Sequence, residues 1–227
     1  MSRDGDGGYP GTLTTTLIYR FLEPAILRTE MTAVCDRPTI INLALHSYFN
    51  LDGSDDILDH QLQLESDFIS VVDPELIPTG EIRHVADTPY DFRSLRPIWF
   101  QGADGGVFHY DQNFMLRTRS GSLRLAATAK SGRNGLTLQV FTTEPCIQFY
   151  DAKNLNVPVP GLGMKRLAPR AGAAGAAAGV AKVHDAGAAI AVAGILIGVR
   201  LFFVSRLLNA TMSTPSRWAC GWNSCKV

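Results

Sequence analysis

A histidine among aromatic and amide side chains is the first feature of this sequence that could do chemistry. Segment 38–51 is apolar until it ends in the residues His46-Ser47-Tyr48-Phe49-Asn50-Leu51. Imidazole is the side chain best suited to exchange protons near neutral pH, so His46 is a candidate general acid or base. A core histidine with satisfied hydrogen bonds is the alternative, but the polar residues crowded around His46 favour a functional role.

Two further polar residues, Asp111 and Gln148, accompany short apolar runs. Asp111 could simply close a turn before a strand, and Gln148 could satisfy the backbone of a neighbouring strand. From the residues alone, both alternatives stay open. We expect no metal site, because His84 and His109 lack a paired ligand at useful spacing. The acidic segment 55–60 adjoins a glycine turn and is predicted to be a solvated loop.

The elements that must hold these residues read as short strands. Up to Pro169 the sequence alternates apolar and polar residues and is interrupted by turn formers, as in 52–54, 78–80, 104–106 and 132–135. Many short strands with frequent turns favour a sandwich or barrel over a parallel α/β sheet. The predicted strands are 13–20, 31–34, 39–45, 61–64, 113–117, 123–129, 136–142 and 147–150.

The composition changes near Pro169, which predicts two regions, 1–168 and 169–227. Residues 171–179 are alanine and glycine only, and an apolar run at 186–204 contains Arg200. That charge and the weak apolarity of alanine and glycine argue against a membrane span. We therefore expect a low-complexity tail of no assignable fold and no membrane partner.

The charge balance excludes some partners and suggests others. The sequence has 21 basic and 21 acidic side chains, which offers no electrostatic footprint for nucleic acid. Small polar, uncharged ligands fit this balance better. No apolar signal follows the polar, glycine-rich start, and the four cysteines suit free thiols, so we expect a cytoplasmic protein.

Several motifs in one order resemble the galactose mutarotase (aldose 1-epimerase) family. The resemblance covers residues 2–154, about two thirds of the chain. In 110–114 a glutamine, Gln112, replaces the histidine usual in the family's Tyr-Asp-His-Asn segment. One such match could arise by chance, but six in the family's order could hardly do so. The matching segments are 2–11, 42–51, 76–82, 88–93, 110–114, and 142–145 with 148–150.

The resemblance implies an antiparallel β-sandwich that interconverts the α and β anomers of free aldohexoses such as galactose and glucose. It implies that His46 is the general acid, that Asp111 accepts hydrogen bonds from sugar hydroxyls, and that Gln148 lies near the sugar. Positioned acid and base groups suffice for this reaction, so no metal or organic cofactor is expected. The expected partner is a free monosaccharide.

Parts of the family pattern are missing. The family's N-terminal segment with further sugar-site residues is absent, and so is the Glu-Thr-Gln motif that carries the catalytic base. No glutamate follows Glu144. We therefore expect an incomplete sandwich with exposed edges, and a chain that is a truncated or frame-shifted version of a larger mutarotase.

Three other classes of function stay open. A sugar-binding relic without catalysis would keep Asp111 and the aromatic residues. A membrane-tethered protein would use segment 186–204 as its anchor. An epimerase of sugar phosphates is a weaker alternative, because no basic cluster near His46 or Asp111 could hold a phosphate.

Overall fold

The computed structural model describes residues 1–39, 41, 43, 45–117, 122–154 and 180–184, the last five by their backbone. Apart from a 3-10 turn at Asp6–Gly8, the regular elements of these residues are β-strands. In chain order they are β1 (Leu13–Leu22), β2 (Ile26–Cys35), β3 (Gln61–Leu64), β4 (Ser66–Val72), β5 (Pro78–His84), β6 (Arg96–Pro97), β7 (Asp111–Leu116), β8 (Arg124–Lys130), β9 (Thr137–Thr142), β10 (Cys146–Tyr150) and β11 (Val180–His184).

The strands form two sheets in which every strand pair is antiparallel. The larger sheet has the order β1-β2-β11-β9-β8-β3-β6, and the smaller has the order β10-β7-β4-β5. The predicted all-β, antiparallel sandwich is therefore confirmed. Pairing of neighbouring strands in the chain, such as β1 with β2 and β8 with β9, is what short turns permit.

The core lies between the sheets and follows the period of two. Alternate residues of β9 and β10 face inward, so that Leu138, Ile147 and Phe149 are fully buried. The larger sheet also contributes Leu62, and the smaller sheet contributes Phe114 to the same cluster. Burying such a side chain stabilises a fold by roughly 1.5–3 kcal/mol, so this cluster holds the two sheets together.

The β1–β2 hairpin forms one edge of the larger sheet and is more exposed than the rest. Nine of the ten residues of β1 are exposed, and Phe21 has 79% of its surface in contact with solvent. Val34 on β2 is 66% exposed. The apolar side chains of this hairpin therefore lie outside the main core.

Two local predictions were wrong. The described residues of segment 39–45 are not in a strand, although the apolar run suggested one. Residues 78–80, predicted as a turn, begin β5, and the preceding turn is built on Asp73, whose Oδ1 accepts the backbone N–H of Ile77 at 2.9 Å. At 78–80, pairing with β4 decided the conformation over local propensity.

Part of the predicted tail takes part in the sheet. The backbone of β11 pairs with β2 on one side and β9 on the other. Residues 169–179 and 185–227 lie outside the described residues, as does the apolar run 186–204, and the boundary at 168 stays a prediction. Within the described ranges, the structure contains no helix that is long and apolar enough to cross a membrane.

Candidate functional site

The pairing of β7 with β10 places a carboxylate beside an amide. Asp111 stands opposite Tyr150, and Asn113 stands opposite Gln148. These four residues share one face of the smaller sheet because side chains two apart on a strand point the same way. The Nε2 of Gln148 donates a hydrogen bond of 2.7 Å to Oδ1 of Asp111. The diagonal contact fixes the orientation of the carboxylate.

His46 reaches this face from the segment that precedes β3. Its neighbours Leu45 and Phe49 are buried and hold the segment against the fold, while His46 itself is exposed. The imidazole packs on the ring of Tyr48, with ring centroids 5.1 Å apart. Tyr48 in turn meets Tyr150 edge-on, with centroids 6.5 Å apart. The loop histidine is thus linked to the strand that pairs with Asp111.

A second set of contacts holds the end of the same segment. The buried His60 accepts the backbone N–H of Leu51 at its Nε2, at 3.0 Å. Asp52 accepts a hydrogen bond of 2.6 Å from Oγ of Ser131, which precedes β9. His60 is therefore not part of a solvated loop, as the sequence suggested, but a buried acceptor that fixes the loop after His46.

The electrostatics of the site follow from burial. Burial raises the pKa of Asp111, the hydrogen bond from Gln148 opposes this, the charge of Asp151 raises the pKa further, and His46 lowers it. His46 therefore lies within electrostatic reach of the carboxylate. Burial also raises the pKa of Tyr48 to about 12, with the fields of Tyr150 and Asp111 acting in the same direction.

Asp151 was missed in the sequence although it follows a family motif directly. Its side chain is 4% exposed and accepts the backbone N–H of Tyr110 at 3.2 Å. Its Oδ2 also lies 3.0 Å from Nδ1 of His109. The carboxylate closes the end of the β7–β10 pair. Its position after the motif was the signal available, but a lone aspartate there reads as a turn residue.

The structure brings the three predicted site residues, His46, Asp111 and Gln148, to one place. Gln112 stands apart from them. It lies on the opposite, buried face of β7, where its amide donates to the backbone carbonyl of Ser70. The glutamine at this position therefore contacts β4 and not the candidate site.

The described residues contain no group of three or more His, Cys, Asp and Glu side chains that could hold a metal ion. What the site offers is an exposed imidazole, a half-buried carboxylate fixed by an amide, and two tyrosine rings. These groups can exchange protons and accept hydrogen bonds from hydroxyl groups. They define a β-sandwich protein with a candidate acid–base site on one face of its smaller sheet.

Comparison with known families gives a match over most of the chain. The family model described as aldose 1-epimerase matches residues 1–184, which extends beyond the resemblance recognised at 2–154. The chain belongs to the aldose 1-epimerase family. The resemblance predicted from the motifs is therefore confirmed. Epimerases are isomerases, so the enzymes that give the family its name belong to that class.

Individual relatives show how much of the family's length is covered. The aldose 1-epimerase of Escherichia coli (strain K12) is 37% identical over 159 residues, which is 68% of this chain and 46% of that protein. The galactose mutarotase of Sus scrofa is 39% identical over 163 residues, or 71% of this chain and 47% of that protein. The chain spans about half the length of the curated relatives it matches.

A solved structure gives the same result for the fold. The aldose epimerase homologue from C. elegans superposes with a TM-score of 0.68 and 29% identity. The superposition covers 80% of this chain and 54% of that chain. The sandwich is thus the galactose mutarotase type of fold, over about half of that relative.

Proposed function

We propose that this chain carries the acid and the sugar-anchoring side of an aldose 1-epimerase site, with a free aldohexose such as galactose or glucose as its ligand. The observation that supports this most is the hydrogen bond between Gln148 and Asp111 beside the imidazole of His46. Burial removes water from Asp111, so a sugar hydroxyl that donates to it replaces lost hydration. The hydrogen bond from Gln148 fixes the orientation of the Asp111 carboxylate that would accept the sugar hydroxyl.

The proposed reaction is the opening and closing of a pyranose ring. One group protonates the ring oxygen while another removes the proton from the anomeric hydroxyl. The bond between C1 and the ring oxygen then breaks to give the open-chain aldehyde. Rotation about C1–C2 and closure with the reverse proton transfers give either anomer. In this proposal His46 is the acid, and each positioned proton transfer contributes ~10²–10⁴-fold in rate.

The proposed site contains an acid, but no residue of this chain is assigned as the base. No glutamate follows Glu144 in the sequence, where the family's Glu-Thr-Gln motif is expected. Glu144 itself precedes β10 and so lies at the opposite end of that strand from Tyr150, and its carboxylate accepts the Thr143 hydroxyl at 3.1 Å. It is therefore badly placed to act with His46. We infer that the chain as written binds sugar but mutarotates it slowly.

Calorimetric titration with galactose tests the binding of sugar, and polarimetry tests the rate of mutarotation. Calorimetry on the whole chain should show binding, and His46→Gln and Asp111→Asn should each weaken it. The matched control is His84→Gln, because His84 also packs on an aromatic ring, Phe68, with centroids 5.1 Å apart, but on β5. Equal binding by all variants would refute the assignment of the site.

A second candidate function is sugar binding without catalysis. The absence of glutamate after Glu144 favours it, while Asp111 and Gln148 retain their contact. Polarimetry of freshly dissolved α-D-galactose separates the two functions. A rate equal to the uncatalysed rate, together with binding by calorimetry, supports the binding protein. A rate above it that falls in His46→Gln supports the isomerase.

We also propose that the sequence after about residue 159 is read out of frame, because it lacks the Glu-Thr-Gln motif, although the family model extends to residue 184 and β11 pairs within the larger sheet. Segment 171–179 contains only alanine and glycine, which is the product expected of GC-rich DNA read in the wrong frame. Resequencing the DNA and translating all three frames downstream of Val159 tests this. A Glu-Thr-Gln motif in another frame would restore the missing base, and its absence from every frame would refute the proposal.

A further inference from the structure

Tyr48 occupies a position between the proposed acid and the strand that pairs with Asp111. Its ring lies 5.1 Å from the imidazole of His46 at an interplanar angle of 45°. The same ring also meets the ring of Tyr150, with centroids 6.5 Å apart and an interplanar angle of 68°. Tyr150 is the direct cross-strand partner of Asp111. The ring of Tyr48 therefore connects the loop that carries His46 to the sheet that carries the carboxylate.

Tyr150 gives this contact a fixed support. Its hydroxyl oxygen accepts the backbone N–H of Asn154 at 3.0 Å, and its backbone is held in the β7–β10 ladder. The segment around His46 is not part of a strand, and His46 is exposed. No β-ladder therefore fixes the direction of its side chain, and packing on a neighbouring ring can do so.

We propose that Tyr48 is a positioning residue that holds the imidazole of His46 toward Asp111 by packing between His46 and Tyr150. This inference rests on the proposed function of His46 and assigns Tyr48 no proton transfer of its own. Burial raises the pKa of Tyr48 to about 12, so its hydroxyl stays protonated at neutral pH and does not act as a base. The aromatic ring of Tyr48, and not its hydroxyl, performs the proposed positioning of His46.

The experiment uses the whole chain and separates the ring from the hydroxyl. Tyr48→Phe keeps the ring, and Tyr48→Ala removes it. Phe68→Ala is the matched control, because it removes an aromatic ring at the same 5.1 Å distance from His84. Phe68 pairs with Met115, four residues along β7 from Asp111.

The first measurement needs no sugar. Three-bond NMR couplings report whether the side chain of His46 keeps one χ1 rotamer or averages over several. We expect a single rotamer in the wild type, Tyr48→Phe and Phe68→Ala, and averaging in Tyr48→Ala. A His46 coupling that is unchanged in Tyr48→Ala overturns the inference whether or not the chain binds galactose.

The second measurement is galactose affinity in a double-mutant cycle. Tyr48→Ala should weaken binding about two- to tenfold, the range for loss of an aromatic pair, and Tyr48→Phe and Phe68→Ala should leave it unchanged. If Tyr48 acts through His46, adding Tyr48→Ala to His46→Gln should weaken binding no further. Additive losses, or a Tyr48→Phe as weak as Tyr48→Ala, would show that Tyr48 acts on the sugar directly. Unchanged affinity in His46→Gln and Asp111→Asn would instead refute the proposed function.

Discussion

Replacing Asp52 by asparagine should remove much of the acid sensitivity of the loop that follows His46. Asp52 accepts hydrogen bonds from the Ser131 hydroxyl at 2.6 Å, from the backbone N–H of Ser54 at 3.0 Å, and from the Ser54 hydroxyl. Burial alone would raise its pKa, but these hydrogen bonds outweigh burial and hold the pKa at about 2. Its side chain is 5% exposed, so solvent screens these interactions little.

The expected size follows from the difference between the folded and the unfolded pKa. The ordinary value is 3.8 and the folded value is about 2, so the interactions of this carboxylate contribute on the order of 2 kcal/mol of stability. Because the folded pKa is the lower one, this stability is present above pH 3.8 and is lost as the pH falls through the folded value. About half of it should be gone by pH 3.

Urea unfolding of the wild type and Asp52→Asn between pH 6 and pH 3 measures this contribution. The gap between their free energies of unfolding should be largest at pH 6 and should shrink by about 1 kcal/mol at pH 3. Asp104→Asn is the control, because Asp104 is an exposed turn residue whose Oδ1 accepts the backbone N–H of Gly106. A gap that does not change with pH would refute this account of Asp52.

Three further predictions concern burial and the site. Burial lowers the pKa of His60, so the contribution of neutral His60 to the free energy of unfolding should be fully present above pH 6.5 and should fall as the pH drops below it. In thermal melts, His60→Asn should lose this pH dependence. Phe149→Ala should cost about 3–5 kcal/mol in urea unfolding, because Phe149 is fully buried against Phe92 and Tyr110, and a loss below 1 kcal/mol would contradict this core. Gln148→Ala should weaken galactose binding and should also lower the free energy of unfolding by about 1–3 kcal/mol, because Gln148 is buried and donates a hydrogen bond to Asp111; an unchanged affinity would remove Gln148 from the site.

The all-β class could be predicted from the sequence because alternation and turn residues are local signals. Leu138 and Val140 alternate with polar residues along β9, and the structure buries both. Segment 39–45 is an apolar run without alternation that predicts a strand, but its described residues are not in one. A continuous apolar run does not show which of its side chains face the core, so only packing against the rest of the chain decides its conformation.

The site could be predicted only residue by residue. The resemblance to the family identified Asp111 and Gln148 as candidates, and His46 was also indicated by its proton-exchanging imidazole. The same reasoning missed Asp151 and the role of Tyr48, since an aspartate after a strand and a tyrosine in an apolar run have common structural explanations. Their contacts are with residues about 40 to 100 positions away in the chain.

The sequence by itself determined the family, the antiparallel class and the candidate acid and carboxylate. Tertiary structure decided that Gln148 meets Asp111, because that contact depends on the register of β7 against β10. It also decided that His60 is a buried acceptor for the Leu51 backbone rather than a solvated residue. Register and burial are properties of strands that pair across the fold. A shift of one residue in the register would turn Gln148 to the other face, and no local sequence pattern specifies the register.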